Sequence, residues 1–230
     1  MSEPILSIED LRILDPSGHA LVDGVSIRLY DSEFVGIVGE SGSGKSLTAL
    51  ALLNAVPEGL QVNYKEYVLF GKDFTSLSDE ERRAVIGKNL GYVAQNTVAF
   101  LHPFLKIKRQ IGDGYRYHLK KTQHESEQKA ARLLEQVGIT DSERVLNSYP
   151  FELSGGMKQR VQIAGALMTD PDIIIADEPT TALDTIHQRQ VMNLFARLNE
   201  ELKIPILFIS HDLNIIKKYC QRVYVMHEGK

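Results

Sequence analysis

Between Gly39 and Ser46 the chain reads Gly39-Glu40-Ser41-Gly42-Ser43-Gly44-Lys45-Ser46. Glycines let consecutive backbone N–H groups turn to one side, and N–H groups gathered this way form a nest for an anion. A lysine directly after the last glycine adds a mobile positive charge, and the Ser46 hydroxyl offers a hard oxygen to a divalent cation. The chemistry this suits is phosphate binding, with Lys45 reaching the β- and γ-phosphates of a nucleotide and Ser46 ligating Mg²⁺. A flexible Gly/Ser linker is the alternative, and the flanks argue against it. Phe34-Val35-Gly36-Ile37-Val38 reads as a buried strand and Leu47-Thr48-Ala49-Leu50-Ala51-Leu52-Leu53 as a helix. A loop between them sits at a helix N-terminus and gains its partial positive charge.

A second reactive pair closes another apolar run, Ile173-Ile174-Ile175-Ala176-Asp177-Glu178. In parallel α/β sheets the carboxyl ends of the strands face the ligand. Asp177 there suits a water-mediated or outer-sphere partner of Mg²⁺, and Glu178 suits orienting or deprotonating an attacking water. An isolated Asp-Glu would be a solvated strand cap; beside a phosphate-binding loop the catalytic reading is preferred. A third segment, Leu153-Ser154-Gly155-Gly156-Met157-Lys158-Gln159-Arg160, opens a helix that continues through Val161, Ala164 and Leu167. Ser154 alone is a good N-cap. The small residues also suit a second phosphate-sized anion site, which would imply a nucleotide shared between two copies; the residues leave both readings open.

Short, fully apolar runs at 34–38, 173–176, 206–209 and 223–226 are what strands covered on both faces look like. Between them lie helical patterns, such as Val191, Leu194, Phe195, Leu198 and Leu202 on one face. Strand and helix in alternation predict a parallel α/β sheet. The first thirty residues differ: Ile5-Leu6-Ser7-Ile8 and Val25-Ser26-Ile27-Arg28-Leu29 alternate around a turn at Asp15-Pro16-Ser17-Gly18, predicting an antiparallel edge. Residues 100–150 carry Lys, Gln, Glu and His with an amphipathic stretch at Ala130, Leu133, Leu134 and Val137, and read as a helical insert.

Composition limits what such a domain can be. The chain has 230 residues, 43% apolar and 24% charged, enough for a sizeable core. Lys+Arg number 26 against Asp+Glu 30, a net −4, so no basic surplus favours non-specific nucleic-acid binding or a polybasic membrane anchor. One cysteine, Cys220, excludes an intrachain disulfide and a cysteine-rich metal module; it reads as a core thiol. No run approaches the roughly 20 apolar residues of a membrane span, and Met1-Ser2-Glu3-Pro4 does not begin like a signal peptide. Any membrane role is therefore expected to be by docking.

In order and spacing, the loop 39–46, the LSGGMKQR run 153–160, the IIIADEPT run 173–180 and Ile209-Ser210-His211-Asp212 resemble the nucleotide-binding subunits of ABC transporters, from about residue 5 to the end. LSGGMKQR is the most specific single element. The resemblance implies a P-loop NTPase with a RecA-like parallel-sheet core at about 1–98 and 165–230, the N-terminal antiparallel edge, and a helical subdomain at about 99–164. It implies ATP and Mg²⁺ as cofactors. Gly39, Glu40, Ser41, Gly42, Ser43, Gly44, Lys45, Ser46, Leu47 and Gln95 would hold ATP; Ser46, Gln95 and Asp177 would hold the metal. Lys45, Glu178 and His211 would be catalytic, His211 as the switch histidine bridging the γ-phosphate and Glu178. Leu153, Ser154, Gly155, Gly156 and Met157 would close over ATP held by a partner in a head-to-tail dimer, and Asp184 of the D-loop Thr181-Ala182-Leu183-Asp184 would touch the partner's P-loop.

Further partners implied are two transmembrane permeases and, indirectly, an extracytoplasmic solute-binding protein, with the ATPase peripheral on the cytoplasmic face of the inner membrane and no nucleic-acid partner. The lead-in Asn147-Ser148-Tyr149-Pro150-Phe151-Glu152 and the Pro103…Gln110-Ile111 stretch are most similar to the oligopeptide/dipeptide/nickel importer group, and within it to NikD-type nickel or metallophore ATPases. Two departures stand out. Family members place an adenine-stacking aromatic near Leu14 and Asp15, whereas no aromatic precedes Tyr30 here, leaving Ile13 as the expected apolar surface. Phe100-Leu101-His102-Pro103 replaces the usual SLNP, so the surface offered to a permease is expected to be individual. The rival readings are a soluble ABC ATPase acting on DNA or ribosomes, disfavoured without heptads, cysteine ligands or duplication, and a non-hydrolysing partner subunit, disfavoured with Lys45, Gln95, Glu178 and His211 intact. The end at Lys230 falls where family members continue, predicting a truncated ATPase core.

Overall fold

The computed structural model describes residues 3–96, 100–181 and 183–230. Thr97, Val98, Ala99 and Ala182, the last within the D-loop run, lie outside the described residues. The elements run β1 (Leu6–Leu14), β2 (Ala20–Leu29), β3 (Phe34–Gly39), α1 (Lys45–Leu52), β4 (Gln61–Asn63), β5 (Glu66–Leu69), β6 (Lys72–Asp73), α2 (Asp79–Asn89) and β7 (Leu90–Val93). Then come α3 (Ile107–Gln110), α4 (Asp113–Leu119), α5 (Gln123–Gln136), α6 (Ser142–Asn147) and α7 (Gly155–Ala166). The chain ends through β8 (Ile173–Asp177), α8 (Thr185–Leu202), β9 (Ile206–Ser210), α9 (Leu213–Tyr219) and β10 (Arg222–Met226). Two compact units result: residues up to Ile86 with Leu198–Lys230, and Gly87–Arg197.

In the first unit β3 lies between β10 and β9, parallel to both. Its residues from Phe34 to Val38 are all buried, as a strand covered on both faces requires. The predicted N-terminal edge forms a separate antiparallel sheet in which β1 pairs with β2, β4 and β5. Here burial alternates along β2, with Val25, Ile27 and Leu29 inward, the period-2 signal of a half-buried sheet. The Asp15 carboxylate forms the intervening turn by accepting the N–H groups of Ser17 and His19 at 2.8 and 2.9 Å. Tyr67 of β5 is fully buried and donates its hydroxyl to the carbonyl of Leu52, the last residue of α1, at 2.7 Å. The antiparallel layer thus braces the helix that follows the glycine loop.

One expectation fails in this sheet. Ile13 pairs with Val22 and Val62 on the two neighbouring strands and is 0% exposed. It is a core residue and has no face to offer an adenine ring.

In the second unit β7 and β8 pair in parallel, with Tyr92 beside Ile175 and Val93 beside Ala176. The rest of this unit is mainly helical. Helix α5 starts with a capping box in which Thr122 and Glu125 each satisfy the other's backbone N–H, and it buries Ala130, Leu133 and Leu134, with Val137 at its end. Arg160 on α7 joins three elements, donating to the Val137 carbonyl after α5 and to Gln190 of α8. The predicted face of α8 is buried at Val191, Leu194, Phe195 and Leu198, but Leu202 is 58% exposed because the helix ends there. Among the described residues no helix is long and apolar enough to cross a membrane.

Candidate functional site

In the first unit β3 delivers the chain into a tight turn, Ser43 N–H to Glu40 carbonyl at 3.2 Å, and α1 begins at Lys45. Gly44 is the N-cap, at φ +93° and ψ 0°. Only glycine adopts that conformation without strain, and having no side chain it supplies no side-chain cap to the helix. No acid sits in that first turn. The Lys45 side chain folds back along the loop, donating to the carbonyls of Gly39 at 2.8 Å and Glu40 at 2.7 Å, and the residue is 4% exposed. These acceptors are dipoles and leave the ammonium charge uncancelled. A buried cation and a helix N-terminus meet at one small loop with left-handed glycines at 42 and 44, features that suit a polyphosphate. Ser46 follows on the same helix. In the same unit His211 is exposed directly after β9, and Asp212 caps α9 by accepting the Asn214 N–H at 2.8 Å.

In the second unit Asp177 ends β8 and is 3% exposed. Tyr92 of the neighbouring strand hydrogen-bonds to it. As a phenol beside a carboxylate, Tyr92 is the donor. Burial, and then the adjacent Asp177, push the Tyr92 hydroxyl up to about 12. Glu178 follows at φ +44°, a left-handed backbone that costs a non-glycine residue on the order of 1 kcal/mol. The bend turns its carboxylate to where two neutral donors meet one oxygen, Gln95 Nε2 at 3.1 Å and Thr181 Oγ1 at 2.8 Å, both to Oε2. These two bonds orient the Glu178 carboxylate, and a carboxylate held in a fixed direction is suited to accepting a proton from water.

Ser46 in the first unit, and Gln95 and Asp177 in the second, each carry an oxygen donor of the hard type that Mg²⁺ prefers.

The run 153–157 also folds as a helix start, but differently. Leu153 is buried, Ser154 is exposed and caps α7 through its Oγ, which accepts the Met157 N–H at 3.3 Å, and Gly155 faces open space. Asp184 caps α8, accepting the N–H groups of Ile186 and His187, both at 3.0 Å. Farther along the same unit, Gln110 braces the loop before it by bonding to His102 and Leu105 backbone. That loop holds Phe100 and Phe104 at 48% and 78% exposure. Beside it is a hollow of about 290 Å³ lined by Tyr92, Phe100, Ile111, Gly165 and Met168.

Sequence reasoning missed Tyr92, the hydroxyl of Thr181 as a partner of Glu178, and His187. Tyr92 and Thr181 act through register and chain reversal, which no local spacing signals.

The family model described as "ABC transporter" matches residues 22–181. The peptidoglycan transport ATP-binding protein YejF of Agrobacterium fabrum is 43% identical over 233 residues, which cover 100% of this chain and 43% of that protein. The probable D,D-dipeptide transport ATP-binding protein DdpD of Escherichia coli is 39% identical, with 100% of this chain and 71% of that protein covered. For the oligopeptide transport ATP-binding protein OppD of Bacillus subtilis the figures are 40%, 91% and 59%. The chain thus spans less than two thirds of two of these three relatives. Among solved structures, the ATP-binding cassette MJ0796, in a dimeric post-hydrolysis state bound to ADP and Pi, has a TM-score of 0.85 at 26% identity, covering 97% of this chain and 95% of that one. A match across most of the chain in sequence and nearly all of it in fold leads to one conclusion: this chain belongs to the ABC transporter family, among its ATP-binding subunits.

Proposed function

We propose that the protein is the ATP-hydrolysing motor of an ABC importer for small peptides, working as a head-to-tail pair of ATPase subunits on two membrane permeases fed by an extracytoplasmic binding protein. Its place is peripheral, on the cytoplasmic face of the membrane. The observation that carries this reading is the Glu178 carboxylate held on one oxygen by Gln95 and Thr181, in a chain that also carries the Lys45 loop. Peptide is preferred over nickel or a metal chelate because the three relatives above are named for peptidoglycan, dipeptide and oligopeptide transport.

In this mechanism the loop N–H groups and Lys45 bind the β- and γ-phosphates, with Lys45 exchanging its carbonyl partners for phosphate oxygens. Ser46, Asp177 and Gln95 would hold Mg²⁺, and the ion would supply charge neutralisation at the phosphate oxygens. Tyr92 keeps the Asp177 carboxylate aligned. Glu178 orients a water and takes its proton as the water oxygen bonds to the γ-phosphorus and the bond to the ADP oxygen breaks. His211 steadies the γ-phosphate. Residues 153–157 and Asp184 act on the ATP held by the partner, so hydrolysis is tied to pairing. The helical subdomain, about 99–164, carries this change to a permease through the Phe100–Phe104 surface and the adjoining hollow, with Gln95 at its edge.

Affinity purification from detergent-solubilised membranes tests the reading. It is expected to recover two multi-span chains together with a second ATPase copy or relative. Recovery of DNA or ribosomes in their place would overturn it.

A further inference from the structure

His187 lies in the first turn of α8, one turn beyond Asp184, and contacts two segments at once. Its Nδ1 is 2.6 Å from Asp184 Oδ2. The His187 backbone N–H first, and then its ring, hold the Asp184 carboxyl below the usual carboxylate range. An ionised carboxylate only accepts hydrogen bonds, so Nδ1 is the donor. The other edge of the ring lies against the start of α7: a Cβ built on Gly156 would come 3.2 Å from His187 Cδ2 and 3.7 Å from Nε2. That is tighter than ordinary carbon contact, so glycine at 156 lets the ring sit there without shifting. The imidazole is therefore a wedge between the Asp184 turn and the Ser154–Gly156 turn of the same protomer.

We infer that His187 is a positioning residue that fixes these two turns relative to each other, so that both meet the partner's nucleotide in one prearranged geometry. The inference rests on the proposed reading of residues 153–157 and Asp184 as the parts that act on partner-bound ATP. Both turns are exposed, and Gly155 has nothing near the position of its absent side chain. Without a wedge each turn would have to be ordered separately when the protomers close, and ordering costs affinity. With it, that ordering is already complete in the single protomer. The ring is half exposed, so its loss leaves little unfilled core volume.

The test uses the Glu178→Gln protein, which should retain ATP, and the ATPase chain with which it pairs, itself included. ATP-driven association is measured by analytical ultracentrifugation, ATP affinity on the unassociated protomer, and the thermal midpoint alongside. His187→Ala should weaken association about tenfold and leave protomer ATP affinity and the midpoint unchanged. His187→Asn, whose amide can replace the Nδ1 donor to Asp184, should recover a large part of the loss. Undiminished association in His187→Ala would overturn the inference. Equal loss in both variants with a lowered midpoint would also overturn it, by making the role merely structural. A parent that fails to associate with ATP would overturn the underlying reading and this inference with it, an outcome distinguishable because it precedes any change at His187.

Discussion

The helices α1 and α7 begin with nearly the same residue types, Ser43-Gly44-Lys45-Ser46 and Ser154-Gly155-Gly156-Met157-Lys158, yet they fold into different devices. At α1 the cap is a left-handed glycine that supplies no side-chain cap, and the lysine is buried along the loop carbonyls. At α7 the cap is an extended serine whose hydroxyl already accepts the Met157 N–H, and the turn lies open. The first suits the proposed binding of an anion within one protomer. The second is well capped and exposed, which suits the proposed surface for a partner's nucleotide. Where the lysine and the cap fall by a few residues separates the two proposed roles, a binding site and a contact surface.

This contrast can be broken by substitution. Lys45→Ala removes charge-assisted hydrogen bonds worth about 1.5–3 kcal/mol each, so ATP affinity of the single protomer should fall by roughly one to two orders of magnitude in a fluorescent-nucleotide titration; normal affinity would mean that the loop is not the phosphate site. Ser154→Ala should leave that affinity within about threefold, since only a helix cap is lost, while ATP-driven pairing in sedimentation weakens clearly. Equal effects of the two changes on protomer affinity would erase the distinction between the helices. The smallest effect is on folding: losing the Ser154 cap should cost about 1 kcal/mol, a drop of about 2–4 °C in thermal midpoint for a chain of this size, read by calorimetry.

How much of this was legible beforehand follows the same division between local and non-local information. The glycine loop, the buried strand ending in Asp177-Glu178, the amphipathic face at Ala130, Leu133, Leu134 and Val137, and the antiparallel N-terminal edge are set by spacing within one element, and spacing is what a sequence displays. Ile13 was misjudged because its environment comes from Val22 and Val62, which lie on other strands. Tyr92 could be seen as a strand residue but not as a partner of Asp177, because parallel pairing of β7 with β8 creates that contact. The meeting of Gln95 and Thr181 on one oxygen of Glu178 needs both that pairing and the left-handed bend at Glu178. His187 escaped for a related reason: its bond to Asp184 is local, but its contact with Gly156 joins two helix starts far apart in the chain.

In the proposed mechanism Glu178 handles the attacking water while the Lys45 loop holds the nucleotide. Phosphate release by Glu178→Gln, measured beside ATP binding by the same preparation, tests it most directly. Turnover should fall by at least about 10²-fold, the scale of a lost general base, with ATP affinity retained and pairing stabilised. Phosphate release at the parent rate would contradict it.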